Sequence, residues 1–67
     1  MKNLNLDRRI KYTRKMIRQS FLQLLEEKPL GKITVKEICE KADINRATFY
    51  VHYEDVYDLL NKIEEEF

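Results

Sequence analysis

The segment ITVKEICEKADINRATFYVHY, Ile33–Tyr53, carries two helix starts separated by one tight turn. Thr34 and Glu37 stand three apart, the spacing of a capping box. The threonine oxygen accepts the N–H of the third helical residue, and the glutamate reaches back to the threonine N–H. Ile33 lies just before the cap and Ile38 four residues after it, the spacing of a hydrophobic staple. A helix is therefore predicted from Thr34 or Val35 to about Ala42. Asp43 breaks it, since aspartate tolerates left-handed backbone better than most residues. Asn45 is a good N-cap for the next helix, which should run to about Tyr53. Two short helices joined by a three- or four-residue turn make a helix-turn-helix unit.

The flanking sequence supplies what that unit packs on. Ile17, Phe21, Leu24 and Leu25 follow at i, i+4, i+7 and i+8, one apolar stripe of an earlier helix. Thr13 is read as its N-cap and Pro29 as its stop, with KPLGK as a loop in which Gly31 is free to take a positive φ. After Tyr53, Glu54 or Asp55 can start a fourth helix whose apolar face is Val56, Leu59, Leu60, Ile63 and Phe67. The expected architecture is all-α: a three-helix bundle with the helix-turn-helix in its second and third helices, plus the start of a fourth. Residues 1–12 read as a basic arm, 13–53 as the helix-turn-helix domain and 54–67 as the start of a connecting helix.

Composition limits what such a chain can be. At 67 residues it is one domain at most, with a small core and marginal stability. Its single cysteine, Cys39, can form neither an internal disulfide nor a metal cluster, and reads as a small buried hydrophobe where two helices approach closely. No apolar run approaches membrane length, and the N-terminus lacks the apolar centre of a signal peptide, so a cytoplasmic protein is expected. Net charge is only +1, but its distribution is lopsided. Seven basic residues up to Arg18 face one acid, Asp7, whereas six acids from Glu54 onward face one base, Lys62. One end can meet a polyanion while the other points away.

The last third of the opening segment then divides in two. Phe49 and Tyr53 are four apart on one helix face and, with Ile44, read as core. Arg46, Ala47 and Tyr50 project elsewhere, with Thr48 and His52 beside them. That second face suits DNA. Arg46, at the start of a helix in the major groove, can reach a guanine edge or a phosphate, and Ala47 can meet a thymine methyl. Thr48, Tyr50 and His52 carry hydrogen-bonding tips for bases or backbone. The helix start at Thr34, with Lys36 in its first turn, favours a phosphate. His52 has an equally good reading as a packed histidine, and Tyr50 as a half-buried packing residue. No second histidine or cysteine stands at ligand spacing, so neither metal nor cofactor is expected. No nucleophile sits with a base, so an enzyme is not expected. The alternative is a protein-interaction module that docks a partner helix on its aromatic face.

The run ITVKEICEKADINRATFYVHYEDVYDLL resembles the N-terminal DNA-binding domain of the tetracycline-repressor (TetR/AcrR) family of transcriptional regulators, and TRKMIRQSFLQLLEEKP looks like that family's first helix. The resemblance covers roughly Tyr12 to Phe67. It implies a domain that binds double-stranded operator DNA of palindromic sequence, and a larger C-terminal domain that makes homodimers and binds a small effector. By position, Thr34, Val35 and Lys36 would face phosphate, as would Thr13 or Arg14 of the first helix. Arg46, Ala47 and Thr48 would meet bases or nearby phosphates, and Tyr50 and His52 the backbone. This sequence has Asp43 where the family often has glycine, and Val56 where it usually has a phosphate-binding lysine. The effector domain is absent from these 67 residues, so a fragment of a longer regulator is expected, with a free-standing domain as the other possibility.

Overall fold

The computed structural model describes residues 4–66, with side chains from residue 8 onward. The described residues form four α-helices, α1 Leu4–Glu27, α2 Val35–Ala42, α3 Arg46–His52 and α4 Val56–Glu65, with a 3-10 turn at Leu30–Lys32 between the first two. No strand occurs among them. The all-α expectation holds, and the helix-turn-helix lies in α2 and α3.

Each start in the second half follows from its cap. The Thr34 oxygen accepts from the Glu37 amide at 3.1 Å, and the Glu37 carboxylate accepts from the Thr34 amide at 3.1 Å, so the capping box is complete. Asn45 Oδ1 accepts from the Thr48 amide at 2.8 Å, and Asp55 Oδ1 from the Asp58 amide at 2.8 Å. Asp43 ends α2 in the left-handed region, at φ 60° and ψ 48°. The amides of Asp43 and Ile44 both donate to the Cys39 carbonyl, which closes the turn.

Asp43 is the only described non-glycine residue with positive φ. A Cβ in that region costs roughly 1–2 kcal/mol, less for aspartate than for most residues. Glycine removes the clash but loosens the unfolded chain. Asp43→Gly should therefore be neutral to stabilising, by at most about 1 kcal/mol, whereas Asp43→Val should destabilise by about 1–3 kcal/mol. Urea unfolding of the two variants checks the order; a more stable valine variant would contradict it.

Two local expectations are corrected. Helix α1 starts at Leu4 and not at Thr13, so Thr13 is an interior helical residue rather than a cap, and residues 4–12 of the basic arm are helical. No glycine or proline interrupts Leu4 to Thr13, and the leucines, arginines and lysine there are good helix formers. Gly31 does not use a positive φ. Pro29 at φ −68° instead opens a 3-10 turn, in which Lys32 donates to the Pro29 carbonyl at 2.9 Å and Ile33 to Leu30 at 3.1 Å. Phe67 and the first three residues of the arm lie outside the described residues.

The core is most of what the periodicity selects, with Leu25, Ile44 and Leu60 only partly buried against it. Ile17, Phe21, Ile38, Phe49 and Leu59 are fully buried, one or two from each helix, with Leu24, Ile33, Cys39, Tyr53, Val56 and Ile63 around them. Ile33 and Ile38 share that cluster, as a staple requires. Val56, where the family usually has lysine, is buried and anchors the first turn of α4. Phe49 packs on Tyr53 at 5.6 Å between ring centroids, and the Lys62 ammonium lies 5.6 Å from the Tyr53 ring. Of the aromatic residues in this stretch, Phe49 and Tyr53 lie inside the fold and Tyr50 lies outside it.

Candidate nucleic-acid interface

Burial of Phe49 fixes how α3 rotates, and so what it presents. Arg46 and Ala47 are exposed in its first turn. Tyr50 follows at 53% exposed, its ring edge-on to Phe49 at 5.4 Å. The packing-tyrosine reading therefore gives way to a tyrosine that rests its body on Phe49 and leaves its hydroxyl free. Val51, at 77%, is the most exposed large apolar side chain of the chain's described residues, and no motif or periodic signal in the sequence marks it. It lies between Tyr50 and His52, which were singled out because they carry polar tips.

Thr48 is half-buried. Its hydroxyl donates to Asn45 Oδ1 at 3.0 Å, alongside the backbone bond to the same oxygen. It keeps lone pairs to accept with, but its proton is committed to the cap. His52 is half-buried on the last turn of α3. Burial first, and the nearby Arg14 charge second, push its pKa below the ordinary 6.5. Both effects favour the neutral imidazole, which can donate one hydrogen bond without adding charge. Arg14 of α1 is thus near enough to the end of α3 for its charge to be felt there.

At the start of α2, Thr34 and Lys36 are exposed. Val35 differs: its side chain packs against the core, so only its backbone amide is left for a ligand. Glu37 sits in this first turn, where its negative charge would oppose a phosphate. Lys28 pairs with it and offsets that charge. The Lys28 ammonium, then the Thr34 amide, hold the Glu37 carboxyl below its ordinary 4.5. The Glu54 amide, then Lys62, do the same for Asp58 below 3.8. A lowered folded-state pKa means stability that is present above the ordinary value and lost as pH falls through the lowered one. The chain should keep a flat melting temperature from neutrality to about pH 5 as far as these groups decide it, then lose stability below about pH 4.5. Melts of Glu37→Gln should show a shallower acid drop than the unchanged chain; an equal drop would remove Glu37 from the account.

No group of three or more potential ligands for a metal occurs among the described residues, and no described helix is long and apolar enough to cross a membrane. Among the described residues, Thr34 and Lys36 are exposed at the start of α2, Arg46, Ala47 and Tyr50 along α3 and Arg14 on α1, while Thr48 and His52 are half-buried.

Comparison with known proteins gives this arrangement its place. The family model described as bacterial regulatory proteins, tetR family, matches residues 18–63. An uncharacterized HTH-type transcriptional regulator of Bacillus subtilis (strain 168), YxbF, is 42% identical over 60 residues. That match covers 88% of this chain and 16% of the relative, so the chain spans about a sixth of that protein's length. No solved structure matches at a comparable level. With an all-helical fold, a complete helix-turn-helix and a family match over most of its length, the chain belongs to the tetR family of bacterial regulatory proteins, as its helix-turn-helix DNA-binding domain.

Proposed function

We propose that this domain binds double-stranded operator DNA in a sequence-specific way, as the reading head of a transcriptional repressor. The observation that carries the proposal is the split of α3: Phe49 fully buried, with Arg46 and Ala47 exposed in the first turn above it. A helix start held rigidly by its core side chain is what direct readout in the major groove needs. In this reading Arg46 takes a guanine edge and Ala47 a thymine methyl. Thr48 accepts from a base or its neighbour. Tyr50, His52 and Arg14 hold one stretch of backbone. Thr34, Lys36 and the Val35 amide hold another at the start of α2.

Two such domains, carried by a homodimer, would read the halves of a palindromic operator about 34–36 Å apart. In a protein of the relative's length, dimerisation and effector binding would belong to the part outside this domain, and the protein would work in the cytoplasm with its DNA. One domain alone should bind weakly.

Fluorescence anisotropy of labelled duplexes against salt tests the reading. With about four phosphate contacts, affinity should fall roughly a hundredfold between about 50 and 200 mM salt. A flat titration, or the absence of binding to any duplex at low salt, would sink it.

A further inference from the structure

Lys11, Arg14, Lys15 and Arg18 stand at i, i+3, i+4 and i+7 along α1, which gives one cationic face. With Tyr53 and Glu66 they line an open cleft of about 570 Å³. Tyr53 is the C-cap of α3 and Glu66 that of α4, so the cleft runs from the end of the candidate reading helix to the end of α4. At its near end, the Arg14 charge acts on His52. At its far end, Arg18 pairs with Glu66. No described carboxylate pairs with Arg14 or Lys15, and neither has an acidic residue three or four positions away on its own helix. Like charges at Lys11 and Lys15, and at Arg14 and Arg18, repel along the helix. The folded chain gains nothing from that arrangement, whereas a polyanion laid in the cleft would.

We propose that this cleft carries the phosphate-binding surface along α1 beyond Arg14, with Lys11, Lys15 and Arg18 taking the duplex backbone that flanks the read site, and that Glu66 holds Arg18 out of contact until that backbone displaces it. The proposal rests on the DNA-binding reading above. Dimensions favour duplex over a single anion. Lys11 to Arg18 spans about 10 Å of helix, the axial length of about three phosphates of one strand. The cleft is open, and one of its walls is Tyr53, which directly follows His52 in the chain. Arginine also suits the site chemically, because its planar fork meets phosphate with two parallel hydrogen bonds.

The experiment uses the intact chain and two duplexes that share a core site, one carrying flanks and one trimmed of them. Lys15→Gln should flatten the log–log salt slope by about 0.9 on the flanked duplex and leave the trimmed one unchanged. Glu66→Gln should tighten the flanked duplex by about 1.5- to 5-fold, the range expected for releasing an exposed ion pair, and Arg18→Gln should erase that gain. Circular dichroism confirms that each variant keeps its helices. The proposal is overturned if Lys15→Gln and Arg18→Gln leave both slope and length dependence unmoved. It is also overturned if the Glu66→Gln gain survives in the Arg18→Gln chain. Sedimentation showing that Glu66→Gln dissolves a dimer would assign the cleft to the acidic α4 end of a second copy and overturn it too. Failure of the unchanged chain to bind any duplex is a different result, and would remove the DNA-binding reading and this proposal together.

Discussion

Phe49→Ala should leave the chain without a cooperative unfolding transition at 25 °C. A domain of this size holds only about 3–10 kcal/mol of stability in total. Truncating a fully buried phenylalanine removes about 3–5 kcal/mol of it. Phe49 has no exposed surface, and its ring meets Tyr50 and Tyr53 in a cluster that includes Ile17, Phe21, Ile38 and Leu59. It is the only buried residue of α3. A seven-residue helix is far too short to persist by itself, so α3 exists because Phe49 docks it. Losing the ring therefore removes both a core contact and the element that carries Arg46. Tyr50→Ala, one residue on, is the control. Its side chain is mostly exposed, and it should change stability by no more than about 1 kcal/mol. Helical circular dichroism and urea titration of the two variants make the comparison. Equal midpoints would mean that α3 is held by something other than its core ring.

The features legible in the sequence are those decided within one turn of helix. Thr34 and Glu37 announce their capping box by spacing alone, and Asn45 its cap by residue type. The stripe of Ile17, Phe21 and Leu24 is equally plain, because burial repeats with the helical period. The start of α1 is not legible for the converse reason. Residues 8–15 are exposed except for half-buried Thr13, so no apolar period marks that part of the helix, and Thr13 stood out as the first cap-like residue. Its true beginning depends on propensity and the absence of breakers, which are weaker signals. Contacts between distant residues were not legible at all. Arg18 meets Glu66 across 48 positions, and the Arg14 charge is felt at His52 from another helix. Only the fold brings them together, and so only the fold turns the basic arm into one wall of a cleft. Val35 shows the limit of position-based transfer. Its place at a helix start matches a phosphate-facing position, yet its side chain faces the core.

Arg46→Ala should lower affinity for a preferred duplex by about 5- to 150-fold, equivalent to about 1–3 kcal/mol, while affinity for random duplex falls only about threefold. The preferred site is one selected from random duplex by the chain itself. The asymmetry follows from what arginine can do at this place. Arg46 is the first residue of α3, directly after the Asn45 cap, and it is exposed. From there its guanidinium can lie flat against the O6 and N7 of one guanine, a match of two donors to two acceptors that no other base pair offers. Random duplex lacks that match and sees only a positive charge, so it loses one phosphate interaction's worth of affinity. Arg46→Lys separates the two contributions. Lysine keeps the charge but not the fork, so it should restore binding to random duplex and leave most of the specific loss in place. Fold is not at issue, since the side chain is exposed and the Asn45 cap is untouched; helical circular dichroism should be unchanged. Equal losses on both duplexes, fully repaired by lysine, would make Arg46 a backbone contact. Sequence reading would then have to come from Ala47 and Thr48, the remaining first-turn residues of α3.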